Sequence, residues 1–348
     1  MSLESVKHTH RQSFRDTCMQ KLFSIYRPGK SKRERKHELK SGKSDLIHGR
    51  STFYQYKDIV SRFADFAVEK DPDIRKLKYA LKVGLAYDFI QLQIDKGLKP
   101  SSIKTYAAAL ARLFGVTIND IHDNLPTVRA SDATRNRHYT MEQFKKDTNS
   151  SYGNTAVISN FCFATGLRKN ELLHLYNNCL ETDSDGNLRL YLYENTCYST
   201  NPKTGNRTCE TKNGRPRYIV IKEEEEIDVL PLINNTPDGV RVFEKISDSF
   251  PVHAVRALFA AKEYHRIAAD IDSIRDEKVP SQRNKNKLVS RVYKMRDGTG
   301  REYDRLALRK VSKQLGHNRE SVVANSYLWA LDDIIKYYDK TTKEINTS

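Results

Sequence analysis

The sequence predicts a mainly α-helical chain with one small antiparallel β-sheet, arranged as two domains. Three observations carry that expectation. Apolar residues recur near the 3.6-residue helical period over about 51–125, and again over most of the chain after 250. Strand signals are confined to two short runs, the alternating Leu188-Arg-Leu190-Tyr-Leu192-Tyr and the β-branched and aromatic Arg217-Tyr218-Ile-Val-Ile221. Residues 124–139 have no periodicity and carry Pro126 among many small polar residues, the pattern of a linker. A length of 348 residues agrees with two domains, at roughly 150 residues each.

Taken in order, residues 1–50 read as a mobile basic arm with one short helix near 12–26. Tyr54, Tyr56, Ile59, Val60, Phe63, Phe66 and Ala67 then line one face of a first long helix. A second amphipathic run covers about 78–96, with Leu81, Val83, Leu85, Ala86, Phe89, Ile90 and Leu92. A third follows Pro100, capped by Ser101 or Ser102 and stopped by Gly115. A short fourth helix near 117–123 closes a bundle over 51–125, and the linker is drawn at 126–139. The second domain, 140–335, opens with Thr140-Met-Glu-Gln143, a capping-box pattern. Helices are expected near 154–165 and 168–179. The two strand runs follow next, with Asn213-Gly214 as a hairpin-turn dipeptide between them. Beyond 250 the pattern is helical, interrupted by a polar, basic stretch near 272–304 that reads as an insertion, and 336–348 form a tail.

Composition narrows the function. The chain holds 60 Lys and Arg against 44 Asp and Glu, a formal net charge of +16. Residues 1–50 contribute 13 basic and 5 acidic residues, and residues 271–310 contribute 12 and 6. Two separate basic segments favour a polyanionic partner, because Lys and Arg displace the counterions of nucleic-acid phosphates. No stretch approaches the ~18 apolar residues of a membrane span, and the polar N-terminus shows no apolar signal region. A protein that works in the cytoplasm, away from membranes, is expected. The five cysteines, Cys18, Cys162, Cys179, Cys197 and Cys209, are scattered without C-x-x-C or matching His spacing. Neither a disulfide framework nor a metal site is indicated, and reduced thiols are expected.

Chemistry-bearing residues lie in the second domain. Ala164-Thr165-Gly166-Leu167-Arg168-Lys-Asn-Glu171-Leu172-Leu173-His-Leu175 puts an arginine at a helix start, which alone reads as a surface group or an ion pair with the nearby Glu. His253-Ala-Val-Arg256 sets His and Arg at i and i+3, a spacing that lets both face one phosphate. Leu315-Gly316-His317 follows, and Tyr327 lies ten residues beyond His317. In this order the four motifs resemble those of the tyrosine recombinase (phage-type integrase) family. The resemblance covers about 50–335. It makes 51–125 similar to that family's core-binding domain and 140–335 to its catalytic domain, and Thr211-Lys212-Asn213-Gly214-Arg-Pro-Arg217 resembles the hairpin bearing its catalytic lysine.

The resemblance implies Tyr327 as the nucleophile, leaving a 3′-phosphotyrosyl link and a free 5′-hydroxyl. Two guanidiniums, Arg168 and Arg256, suit the charge on a phosphodiester in its transition state, because they donate bidentately and stay protonated. The resemblance gives His253 the task of assisting the nucleophile, His317 a hydrogen bond to the phosphate, and Lys212 the role of general acid to the leaving oxygen. Lys203 is a rival for the last role; Lys212 is preferred because its Asn-Gly turn precedes a β-branched strand. Covalent catalysis conserves the bond energy, so no metal, ATP or other cofactor is needed. Candidate DNA contacts are Lys32, Arg33, Arg35 and Lys36 in the arm, Lys104 and Arg112 in the bundle, and Arg129, Arg135 and Arg137 in the linker.

The implied function is a site-specific recombinase or integrase of a mobile element, acting on double-stranded recombination sites as a homotetramer on two sites, with DNA-bending accessory proteins as further partners. The amphipathic run after Tyr327, from Leu328 to Tyr338, would dock on a neighbouring subunit or pack on its own domain. Tyr337 and Tyr338 lie too far past His317 to be the nucleophile, and His265 reads as a surface residue. Three departures stand out, one being that the 1–48 arm does not resemble a recognisable arm-binding domain. Arg256 and His317 are 61 residues apart, further than the family commonly places them, and the Tyr327 spacing is one residue longer than usual. The competing readings are a catalytically silent DNA-binding or architectural protein on the same scaffold, and a telomere resolvase or type IB topoisomerase-like enzyme.

Overall fold

The computed structural model describes residues 13–28, 32–40, 44–128, 139–149, 155–202, 204–295 and 297–347. The chain is mainly α with small antiparallel sheets, and it divides into two compact units, Met1–Ala133 and Thr134–Ser348.

The first unit is helical: α1 (Phe14–Ser24), α2 (Lys32–Glu38), α3 (Arg50–Lys70), α4 (Leu77–Lys82), α5 (Leu85–Asp95), α6 (Pro100–Phe114) and α7 (Ile118–Ile121). Phe63 of α3 sits at the centre, with the rings of Phe14, Phe89 and Phe114 at 6.2, 5.6 and 5.7 Å. The helix expected near 12–26 is α1, but it is no part of a free arm. Phe14, Cys18 and Leu22, spaced by four, are fully buried against the bundle. The single helix expected over 78–96 is broken into α4 and α5, because Gly84 takes a φ of +80° that a right-handed helix cannot contain. Pro100 opens α6 from its first turn, where no N–H is needed, and Lys99 rather than a serine precedes it. Gly115, at φ +75°, ends that helix, and Thr117 and Asp120 close a capping box on α7.

The second unit begins with α8 (Met141–Asn149), capped by reciprocal bonds between Thr140 and Gln143, and α9 (Thr155–Thr165). The helix expected over 168–179 is only one turn, α10 (Lys169–Leu172), because Leu175 and Tyr176 turn away to bridge Cys197 and Arg241. β1 (Leu180–Thr182), β2 (Leu188–Leu192) and β5 (Arg217–Val220) form an antiparallel sheet in the order β1-β2-β5, with Leu190 opposite Ile219. The two strand runs therefore pair, but Asn213-Gly214 is not the turn between them. A separate hairpin of β3 (Tyr198–Thr200) and β4 (Arg207–Cys209) intervenes, and Lys212–Gly214 make a 3₁₀ turn that leads into β5.

Then come α11 (Glu223–Asn234) and α12 (Val252–Ile267), the latter buried from Ala254 to Tyr264. The stretch 272–304 is not irregular. It holds two hairpins, β6 (Lys278–Pro280) with β7 (Leu288–Ser290) and β8 (Val292–Lys294) with β9 (Glu302–Asp304). The chain ends with α13 (Arg305–Gln314), α14 (Glu320–Ser326) and α15 (Leu331–Thr347). The start of α15 packs on its own unit: Ile334 is fully buried, Asp332 pairs with Arg301 at 2.8 Å, and Lys145 lies over the Tyr337 ring at 4.5 Å. All five cysteines are free, and no helix of the described residues is long and apolar enough to cross a membrane.

Candidate active site

Three turns and one buried helix bring the charged groups of the second unit together. α9 ends at Gly166, whose φ of +58° reverses the chain so that Arg168 caps α10 in an extended conformation. A Cβ on Gly166 would lie 2.2 Å from the ring of Phe259, so only glycine lets this turn approach α12. Gly166 then presents its carbonyl to Nη1 of Arg256, one turn before Phe259 on that helix. Gly316, at φ +65°, plays the equivalent part in the turn after α13. A Cβ there would meet Arg217 Cδ at 2.7 Å.

Arg168, Arg256, His317 and Tyr327 converge. Arg168 Nη2 donates to the Leu315 carbonyl at 2.7 Å and lies 3.3 Å from His317 Nε2. Arg256 donates through Nη2 to the same carbonyl and through Nε to the Tyr327 hydroxyl at 3.3 Å. The Tyr327 hydroxyl is also 3.1 Å from His317 Nε2. A guanidinium can only donate, which makes Nε2 of His317 the acceptor and puts its ring proton on Nδ1. The tyrosine oxygen accepts from Arg256, so its own hydrogen points to Nε2. Tyr327 follows the last turn of α14 at φ −127°, ψ −34°, with its ring largely buried.

One carboxylate organises the cations. Glu171 Oε1 accepts from Arg168 Nη1 at 2.6 Å, while Oε2 accepts the Arg168 backbone N–H at 2.8 Å and Arg217 Nη2 at 2.5 Å. Arg217 also donates to the Gln314 carbonyl and so ties β5 to the turn that carries His317. Burial alone would raise the Glu171 carboxyl, but the charges of Arg217, Arg256 and Arg168 outweigh it and pull it down to about 2. Burial lowers the Arg256 guanidinium to about 10, still protonated at neutral pH. His317 is pushed down to about 3, first by burial and then by the charges of Arg256, Arg168, Lys212 and Arg217. It is therefore neutral across the physiological range.

Lys212 is exposed on its 3₁₀ turn, and its charge is felt at His317. His253 lies on the first turn of α12 and is exposed, one turn before the wholly buried Arg256. Glu171 and Arg217 went unassigned in the sequence, although both left a signal there. Glu171 stands three residues after Arg168, at a capping position, and Arg217 occupies an inward position of an alternating strand, where a charge needs a partner.

Of the expected DNA contacts, Arg35 is engaged at home: it grips both oxygens of Asp45 at 2.8 and 2.7 Å and also Glu38 at 2.9 Å. Arg112 donates to the Ser44 carbonyl. Lys36 is half-buried and Lys104 exposed. The side chains of Lys32 and Arg33, and the whole of Arg129, Arg135, Arg137 and the rival Lys203, lie outside the described residues. Tyr337 and Tyr338 belong to α15, where Tyr338 stacks on the exposed His265 at 5.9 Å.

No family model matches the chain, and no curated protein matches it. Solved structures similar to it include the Tn1549 transposon integrase in complex with circular intermediate DNA, at 14% identity and a TM-score of 0.44 over 83% of this chain and 94% of that one. The same integrase with transposon right end DNA gives 15% and 0.44 over 82% and 93%. The XerH site-specific recombinase bound to palindromic difH substrate, in a post-cleavage complex, gives 15% and 0.49 over 83% and 80%.

Proposed function

We propose that this chain is a site-specific DNA recombinase of the tyrosine recombinase kind, cutting and rejoining strands through a 3′-phosphotyrosyl intermediate at Tyr327. The observation that carries the reading is the Tyr327 hydroxyl held between Arg256 Nε and His317 Nε2, inside a cluster where Arg168, Arg217, Arg256 and Lys212 outnumber one carboxylate. Such an excess of fixed positive charge suits a phosphodiester, whose charge builds up on its non-bridging oxygens during displacement.

In the proposed step the Tyr327 oxygen attacks phosphorus, the bond to the 5′-oxygen breaks, and that oxygen takes a proton from Lys212. The phenol proton passes to Nε2 of His317, which is in hydrogen-bond reach of the hydroxyl and unprotonated. An arriving phosphate offsets the nearby guanidinium charge and so raises the basicity of His317 when it is needed. Glu171 and Arg217 do not touch the phosphate; they hold Arg168 and the 314–317 turn in place. The homotetramer on two sites, the mobile-element setting and the cytoplasmic, nucleoid-bound location belong to the same reading.

A duplex with a nick beside the cleavage position traps the intermediate, because the released fragment diffuses away. The wild type is expected to give a covalent protein–DNA adduct in EDTA, and Tyr327→Phe none. A wild type that shifts DNA without an adduct would make the chain a binding-only protein. An equal adduct from Tyr327→Phe would overturn the nucleophile.

A further inference from the structure

The second unit holds 35 Lys and Arg against 29 Asp and Glu, and residues 271–310 alone hold 12 against 6, so all of the unit's positive excess lies in that segment. Six of its cations are paired among the described residues, Lys294 with Glu302 and Arg301 with Asp332 among them. Arg275 pairs with Asp272 and Glu302, Arg291 with Glu277 and Asp304, and Arg305 and Arg309 with Glu320. The turn of the β6–β7 hairpin is different. Ser281-Gln282-Arg283-Asn284-Lys285-Asn286-Lys287 contains no acidic residue, and Arg283, Lys285 and Lys287 are exposed without an ion pair among the described residues.

This turn is ordered by its own bonds. The Ser281 N–H donates to the Lys287 carbonyl at 2.7 Å, Lys287 N–H to the Asn284 carbonyl at 3.0 Å, and Asn286 N–H to Asn284 Oδ1 at 3.1 Å. It is also fastened to the nucleophile's helix. Gln282 Oε1 accepts the N–H of Glu320 at 3.4 Å, and Arg305 links the Ser290 carbonyl, at 2.7 Å, to the Glu320 carboxylate. Glu320 opens α14, whose seven residues span about 10 Å and end at Tyr327. Arg319, exposed and also without an ion pair among the described residues, stands between His317 and Glu320.

We propose that Arg319 and the β6–β7 turn form a phosphate track that takes the backbone of the duplex beside the reacting phosphate. The inference rests on the recombinase reading above. Duplex DNA fits better than an acidic protein surface because Arg319 stands two residues from His317 and Gln282 bonds the next residue, Glu320. The track also offers only cations and amides, the groups that bind a backbone without reading sequence.

The test is the salt dependence of binding to duplex DNA by R283Q/K285Q/K287Q. Each phosphate contact contributes about 0.9 to the slope of log K against log salt, so the slope is expected to shrink by about 2–3, with adduct yield at limiting DNA falling in step. R283K/K285R/K287R, which keeps the charges, should hold the wild-type slope. If the wild type binds and forms adduct while the glutamine variant keeps its slope, the track is wrong and the recombinase reading stands. Loss of self-association in sedimentation with an unchanged slope would assign the turn to a protein partner and also overturn the track. A wild type that neither binds nor reacts would overturn both.

Discussion

His317 shows how far neighbours can set the chemistry of one side chain. An ordinary imidazole is half-protonated near pH 6.5, but four cations and partial burial hold this one neutral down to about pH 3. The sign of the consequence is fixed by linkage. Above pH 6.5 neither the folded nor the unfolded chain protonates residue 317. As pH falls from there toward 3 only the unfolded chain takes up the proton, so folding stability is lost. Between pH 7 and 5 the urea midpoint of the wild type should fall more steeply than that of His317→Gln. The difference should stay below the single-proton ceiling of about 1.4 kcal/mol per pH unit, since the half-buried ring is partly screened by solvent. Equal slopes would mean that the ring is not held neutral. The roles of single residues were unevenly legible in the sequence. Motif order singled out Arg168, Arg256, His317 and Tyr327, which the fold brings together. Arg256 turns into the core because the Gly166 and Leu315 carbonyls wait there. No local pattern contains carbonyls that arrive from ninety and fifty-nine residues away.

Elements whose ends are written in local chemistry were legible, and those that depend on distant partners were not. Gly115, Thr117 with Asp120, and Thr140 with Gln143 mark helix boundaries by bonds that span a few residues. Strands β6 to β9 are three residues each, too short for an alternation to register, and they exist because Arg291 and Asp304 bind them to one another and to Ala269. The packing of α1 was hidden for a related reason: the apolar spacing of Phe14, Cys18 and Leu22 is plain only once α3 and α6 supply the opposite wall. α15 is the clearest case. Its amphipathic run allowed either a neighbouring subunit or its own unit, and the structure packs it at home. Asp333 Oδ2 accepts the Met141 N–H at 2.6 Å and so caps α8 from the other end of the domain. Asp333→Ala should cost about 0.5–2 kcal/mol by urea denaturation, the usual value of a lost N-cap. A cost within error would mean that the α8 terminus is satisfied by other means, and truncation from residue 332 onward would then test assembly rather than folding.

At the scale of the whole molecule, charge and apolar surface are divided differently between the units. Residues 1–133 carry 25 Lys and Arg against 15 Asp and Glu, and 134–348 carry 35 against 29, so the smaller unit has the larger excess. Each unit also has a core of its own. One cluster gathers residues from Phe14 to Ile121, the other from Met141 to Ile334, with no member in common. A segment with a core of its own does not need the rest of the chain to fold. Residues 134–348 made alone should therefore unfold in one cooperative urea transition and retain Arg168, Lys212, His253, Arg256, His317 and Tyr327. On DNA the fragment should behave as half of a bivalent binder. Linking two modules turns the second binding event into an intramolecular one, which can add a factor of about 10²–10⁴ in avidity. The fragment should thus form the Tyr327-dependent adduct on a nicked duplex only at DNA concentrations well above those the full chain requires, and with a shallower salt slope. A folded fragment that reacts as readily as the full chain would assign the +10 of the first unit to something other than grip on DNA. A folded fragment that never reacts would mean that the first unit supplies part of the active site itself.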